Sequence, residues 1–323
     1  METAGKSELR LGYLRKLTRS GMMAVCIAAA TVASVKGLFA DAMQADVGGP
    51  GGLAATNAVP LNAAARIAAL KKVVRSDVWY GYARTVFEFE GHEAWVVSPK
   101  REPAPGRPWT WTMQWADAYV DRTGVLDLLA KGWHHVTIDT FAHRMDEEGL
   151  RVSRAFQKFL VDELGFSKKT SLVGMSWGGF FSTRYAATFP ECVAGVYLDA
   201  PLLNYSGFAD ASTSAENAAR VGPWAAKPPP GGDWAADPRM PVNMADKIAK
   251  AGIPVLLLYG GQDATVKPST NSELFAKRFK AAGGKIDVRR RGLYGHHPHG
   301  EDPDKTASIV SFFEGAFAIR AAQ

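Results

Sequence analysis

From about residue 85 onwards, short apolar runs alternate with longer segments whose apolar residues recur three and four positions apart. Thr85–Glu90 and Glu93–Val97 flank Gly91 as the arms of a hairpin, and Pro108–Met113 reads as a third strand. Trp133–Ile138 is a buried strand ending at Asp139; Thr170–Val173, Val193–Leu198 and Pro254–Tyr259 follow, and Lys285–Arg291 is a final, edge-like strand. Between them Leu126–Lys131 reads as a helix closed by Gly132. Ser153–Leu164 sets Phe156, Phe159, Leu160 and Leu164 at helical spacing, with Gly165 as the stop signal. Further helices are expected over 178–188, 244–251, 271–282 and 304–318, and a short one around Ala63–Val74. This alternation predicts the α/β class, a mostly parallel central sheet with helices on both faces.

One segment breaks the rhythm. Residues 203–243 are poor in aliphatics and rich in Gly, Pro, Ala and Trp, with Pro228-Pro229-Pro230-Gly231-Gly232 at their centre. Trp224 and Trp234 are large apolar groups for an idle loop, so the segment reads as a lid-like insertion. The plainer alternative is a long ordered surface loop.

The chemistry concentrates at strand ends. Gly174-Met175-Ser176-Trp177-Gly178 follows the run Thr170–Val173 and precedes a helical segment. A serine between glycines at so tight a strand-to-helix turn takes a strained backbone, projects its hydroxyl above the sheet, and leaves the next N–H facing a developing oxyanion. Ser176 is therefore the expected nucleophile, with the Trp177 N–H as one oxyanion donor. The second donor is expected from the third strand and its loop, where Trp111 is taken and Thr112 is the alternative; Trp109, Trp111 and Trp115 read equally well as core packing. A serine needs a base, and the base an orienting acid. Asp263 follows the Pro254–Tyr259 strand through Gly260-Gly261-Gln262, and His296 follows the last strand directly after Gly295. Asp199 is the rival acid and His297 the rival base. His299 reads as a structural hydrogen-bonder, Asp139 as a turn-former, and His134-His135 as packing or surface. No metal ligand set is assigned, and the chemistry requires no cofactor.

The first 45 residues differ in kind. Arg10, Arg15, Lys16 and Arg19 precede the uncharged run Gly21–Val35, and Ala40-Asp41-Ala42 offers a small-x-small cleavage site. This reads as a secretory signal, giving a secreted or periplasmic protein; the alternative is an uncleaved anchor. Residues 46–75 read as a linker with a short helix, and 76–323 as the α/β domain. Residues 1–42 carry a net +3 of the formal +6, so the remaining body holds only a mild positive excess, without the basic stripe that nucleic acid requires. No run of 18 uncharged apolar residues occurs in the body, which excludes stable membrane insertion of the mature domain. With the leader removed, Cys192 stands alone and no intramolecular disulfide can form.

These motifs resemble the α/β-hydrolase superfamily over roughly Val86 to Phe317. Gly174–Gly179 matches its elbow, Tyr185–Glu191 the end of the following helix, and Gly261-Gln262-Asp263 its acid turn. Gly295-His296-His297-Pro298-His299-Gly300-Glu301-Asp302-Pro303 is similar to the superfamily's Gly-His-x-Pro-His-x-Glu-x-Pro pattern, whose first histidine is catalytic, and this favours His296 over His297. Within the superfamily the chain is similar to secreted bacterial hydrolases labelled prolyl-oligopeptidase-like or carbohydrate-esterase-like. Trp177 departs from them, standing where a basic residue is expected, and no propeller segment precedes the hydrolase part. The resemblance implies a serine hydrolase but carries no substrate class; the activity expected is hydrolysis of carboxylic esters through an acyl-enzyme, with a small-molecule or, by analogy, sugar-linked ester as substrate. A peptidase or amidase with the same residues, or a binding protein that has kept the fold, are the alternatives. A serine at the elbow, in place of aspartate, argues against dehalogenase chemistry.

Overall fold

A computed structural model describes residues 62–206 and 219–321; the expected leader, most of the linker and residues 207–218 of the insertion lie outside them. Helix α1 (Ala63–Leu70) is capped by the Asn62 side chain and ends four residues earlier than expected. Val73 and Val74 instead open a strand, β1 (Val73–Trp79), as their β-branched side chains favour. It pairs antiparallel with β2 (Tyr82–Phe89), which pairs antiparallel with β3 (His92–Val97). Both hairpins turn on two left-handed residues, Tyr80-Gly81 and Glu90-Gly91, the geometry that matches strand twist.

The chain continues through β4 (Trp109–Thr112), α2 (Val125–Ala130), β5 (His134–Ile138), α3 (Glu147–Leu164), β6 (Thr170–Met175), α4 (Trp177–Thr188) and β7 (Val193–Asp199). After the insertion come α5 (Ala245–Lys250), β8 (Val255–Gly260), α6 (Ser272–Ala281), β9 (Ile286–Arg291) and α7 (Ala307–Ala321). Among the described residues the strands form one sheet in the order β1-β2-β3-β5-β4-β6-β7-β8-β9. The β3–β5 pairing is antiparallel, and every pairing from β5 to β9 is parallel.

Helix α3 begins six residues before the expected Ser153. Its first turn holds no apolar stripe, but Asp146 accepts hydrogen bonds from the Glu148 and Gly149 N–H groups, and Glu147 and Glu148 suit the positive helix end. Gly165 closes it in the left-handed conformation, with Phe166 N–H returning to the Leu160 carbonyl.

The central strands are buried on both faces. Leu172, Val196, Val255 and Leu257 pack into one apolar layer with α1 and α3 to α6; Val173, Tyr197, Leu256 and Leu258 pack into another with α2 and α7. Such strands show no polar alternation in sequence because both sides are covered. The described part of the insertion is firmly seated. Trp224 and Trp234 are buried, and both rings meet Tyr205, with Trp224 also against Phe180 of α4.

Candidate active site

The parallel strands converge on one edge, where β6 ends and α4 begins. Ser176 sits between them with φ 48° and ψ −117°, a strained conformation for a non-glycine residue. Neighbouring backbone over-determines it: Ser176 N–H donates to the Asp199 carbonyl (3.0 Å), and the Ser176 carbonyl accepts from Gly179 and Leu202 (2.9 Å each). A Cβ at Gly174 would lie 2.9 Å from the Gly178 carbonyl and Ser182 Oγ, and one at Gly179 only 2.2 Å from Pro201 Cβ. Those glycines are demanded by close approach.

His296 Nε2 lies 3.0 Å from Ser176 Oγ, and its Nδ1 lies 2.7 Å from Asp263 Oδ2. A carboxylate can only accept, so Nδ1 carries the hydrogen and Nε2 presents its lone pair to the hydroxyl. Asp263 Oδ1 accepts from the Thr265 (2.9 Å) and Val266 (2.8 Å) N–H groups. Burial by itself would raise the Asp263 pKa; the His296 hydrogen bond and the backbone donors outweigh it and hold the carboxyl below its ordinary value. The acid turn and the histidine loop are locked together. Gln262 N–H donates to the Tyr294 carbonyl, and a Cβ at Gly260 would fall 2.0 Å from the Gly295 carbonyl.

The rivals are engaged elsewhere. Asp199, fully buried, accepts from Tyr197 Oη (2.5 Å), His299 Nδ1 (2.8 Å) and Gly300 N–H (2.5 Å). His297 is exposed and stacks on Tyr119 at 5.9 Å, with its pKa lowered by burial and by the adjoining His299 and His296. Asp139 caps its own turn by accepting from Phe141 N–H at 3.0 Å. His134 and His135 are buried packing residues. Among the described residues His296, His297 and His299 are the group that could hold a metal, one nitrogen of each lying within 4.8 Å of the others. Both nitrogens of His296 already face Ser176 and Asp263, so a cation bound there would take the lone pair aimed at the serine.

Trp111 requires a correction. It lies inside β4, between Val136 of β5 and Leu172 of β6, and its ring is buried against Phe156 and Tyr185. Backbone so placed belongs to the sheet and not to the strand-end opening. Thr112 shares that strand. The segment that reaches the elbow is the next one: the Gln114 N and O lie 3.6 and 3.5 Å from where a Cβ on Gly178 would stand, and Trp115 then turns away at φ 59°. Trp177 opens α4, so its N–H is a first-turn donor at the helix end beside Ser176. Three residues at this edge carried no signal in the sequence: Tyr119, Phe141 and Arg144. Phe141 bridges Trp115 (5.1 Å) and Trp177 (5.6 Å), building an aromatic wall next to the serine.

Residues 116–229 match a family described as alpha/beta hydrolase fold. No curated protein sequence matches the chain. Among solved structures, the chain is similar to an S-formylglutathione hydrolase from Agrobacterium tumefaciens, 17% identical, TM-score 0.52, over 78% of this chain and 99% of that one. It is also similar to dipeptidyl peptidase 4 of Porphyromonas gingivalis, 13% identical, TM-score 0.55, over 76% of this chain and 36% of that one. A third is the acylaminoacyl peptidase of Pyrococcus horikoshii, 15% identical, TM-score 0.51, over 78% of this chain and 42% of that one. The chain thus spans less than half the length of the peptidases it resembles. At these identities the likeness is one of fold.

Proposed function

The chain carries the α/β-hydrolase fold, and from that premise we propose that it is a serine hydrolase acting on carboxylic esters through an acyl-enzyme on Ser176. The supporting observation is the continuous path Ser176 Oγ–His296 Nε2 (3.0 Å) and His296 Nδ1–Asp263 Oδ2 (2.7 Å). Ser176 Oγ attacks the ester carbonyl as His296 Nε2 takes its proton, and Asp263 stabilises the imidazolium and fixes its tautomer. The tetrahedral oxyanion is held by the Trp177 N–H and by a backbone donor from Gln114–Trp115, the segment that abuts Gly178. Collapse expels the alcohol, which receives the proton from His296. Water, deprotonated by the same imidazole, then releases the acid and restores Ser176. Preference for esters over amides is supported by the match to an S-formylglutathione hydrolase over 99% of its length, against partial matches to peptidases. The basic and then apolar leader supports export from the cytoplasm.

A neutral fluorophosphonate probe tests the reading directly. One adduct on Ser176 in the wild type, absent from Ser176→Ala, together with ester turnover at least 10³-fold lower in the variant, is expected on order-of-magnitude grounds (about 4 kcal/mol or more of transition-state stabilisation). A folded wild type that takes no label sinks the proposal. An ester and amide panel then separates esterase from amidase.

A further inference from the structure

Arg144 stands in the loop after β5 on the first of two consecutive left-handed residues, Arg144 at φ 46° and Met145 at φ 55°. Bulky side chains hold that backbone only where the surroundings impose it, and such strain gathers where a group must be aimed. Its guanidinium carbon lies 3.6 Å from the ring centre of Phe141 and 5.3 Å from that of Trp177, the residue after Ser176. Nε donates to the Arg220 carbonyl at 3.2 Å and Nη1 to the Phe141 carbonyl. Nη2 is not used in either bond, and among the described residues no carboxylate forms an ion pair with Arg144. Asp139, the acid that acts on it through space, has one oxygen committed to the Phe141 N–H. Burial lowers the Arg144 pKa, and the through-space pull of Tyr205 and Asp139 does not restore it.

Part of this residue is structural. The Arg144 carbonyl accepts from Trp224 Nε1 at 2.9 Å, and a Cβ on Gly222 would press to 2.9 Å from Arg144 Cγ. Those contacts use the main chain and the stem. With Nε and Nη1 engaged, they leave Nη2 of the guanidinium without a hydrogen bond among the described residues.

We propose that Arg144 binds a carboxylate on the substrate, so that the substrates are esters bearing a free carboxylate. A guanidinium matches a carboxylate through two parallel hydrogen bonds, and an aromatic backing strengthens both. The inference rests on the serine-hydrolase reading, and its test keeps the two apart.

With the full chain, kcat/KM is measured for two matched ester pairs in wild type, Arg144→Gln and Arg144→Lys. One pair places the charge on the acid (4-nitrophenyl hydrogen succinate against 4-nitrophenyl butyrate). The other places it on the alcohol (4-acetoxybenzoate against phenyl acetate). In at least one pair the anionic-to-neutral ratio should fall about 10- to 100-fold in Arg144→Gln, chiefly through KM, and recover in part in Arg144→Lys. A structural pin would lower both members of a pair alike. Ratios that do not move in either pair, in protein whose Ser176 still takes the fluorophosphonate, overturn the inference and leave the hydrolase reading intact. A wild type that takes no label overturns both. Should Arg144→Gln not fold, inhibition of the wild type decides: benzoate competing no better than benzamide overturns the carboxylate site.

Discussion

A single atom separates the glycines of the elbow from one another. Gly178 and Gly179 both lie in the first turn of α4, yet a Cβ on Gly178 would make ordinary contacts at 3.5 Å or beyond, whereas one on Gly179 would stand 2.2 Å from Pro201 Cβ and 2.8 Å from its Cα. Pro201 follows the strand end whose Asp199 carbonyl and Leu202 N–H pin Ser176. Gly179→Ala must therefore push that strand end away from the nucleophile, at a cost of about 1–3 kcal/mol for an overpacked site. It should lower the unfolding midpoint and reduce kcat more than KM. Gly178→Ala removes helical glycine without a clash and should stabilise by up to about 1 kcal/mol. Thermal unfolding of the two variants, with ester kinetics on Gly179→Ala, checks the contrast; equal effects on stability would show that glycine is kept at 179 for some reason other than space. The same reasoning places Ser176 itself, whose positive φ is tolerated because three backbone hydrogen bonds hold it.

At the scale of elements, the histidine loop is held by β7 as much as by its own strand. Asp199, the last residue of β7, gathers Tyr197 Oη, His299 Nδ1 and the Gly300 N–H. Arg291 donates to the Pro298 and Gly300 carbonyls, and Arg122 to that of His299. Asp199→Ala leaves the buried Tyr197 Oη, His299 Nδ1 and Gly300 N–H without their shared acceptor, at about 1–3 kcal/mol for each donor left unsatisfied. The expected outcome is a lower melting temperature and a kcat reduced about tenfold or more, with slower fluorophosphonate labelling of Ser176 because His296 is no longer held in place. Labelling at the wild-type rate would show that the loop keeps its position without the clamp. This pairing was not legible in the sequence, since its members stand 100 residues apart: Asp199 read as a rival acid, and His299 as a structural hydrogen-bonder whose partner nothing local named. Ser176 and Asp263 could be picked out because each follows a strand whose apolar run is plain and whose end carries a glycine turn, whereas His296 follows the polar edge strand β9 and was picked out by its place after Gly295 in the histidine loop. Strand β1 was missed because Arg75-Ser76-Asp77 interrupt it, and an edge strand whose positions are mostly not buried needs no apolar pattern. Trp111 was misplaced for the opposite reason: strand and loop share one aromatic run, and only the sheet pairings show where the strand stops.

The stability of the whole molecule should depend on pH through two histidines that have no part in the proposed chemistry. His134 and His135 are consecutive in β5 and so point to opposite faces of the sheet. His134 packs on Phe166 at 4.3 Å, and His135 stacks on Trp79 at 5.4 Å while its Nδ1 meets Thr110 Oγ1 at 2.8 Å. Burial pushes both imidazoles down to about 3, helped for His134 by the nearby Arg107 charge and opposed for His135 by its Thr110 hydrogen bond. In the unfolded chain each titrates near its ordinary value of about 6.5. Below that pH the unfolded state takes up protons that the folded state refuses until about pH 3, so folding stability must fall as pH falls across that window. The slope is about 1.4 kcal/mol per pH unit for each histidine, and two units of acidification cost about 5 kcal/mol for the pair, comparable to the entire stability of many domains. Asp263 acts in the same direction but later: its lowered carboxyl pKa adds stability that is present above the unfolded value and lost only as pH falls through the folded one. Activity cannot report this effect, because the proposed chemistry is itself a proton transfer and depends on pH in its own right. Urea unfolding at intervals between pH 7 and 4.5 can. The free energy should decline over the whole interval in the wild type, and replacing His135 by Gln should remove about half of the slope whatever it does to stability at pH 7. A wild-type curve that is flat down to pH 5 would mean that the buried imidazoles take up protons without unfolding, and that the sheet centre admits charge more readily than its packing implies.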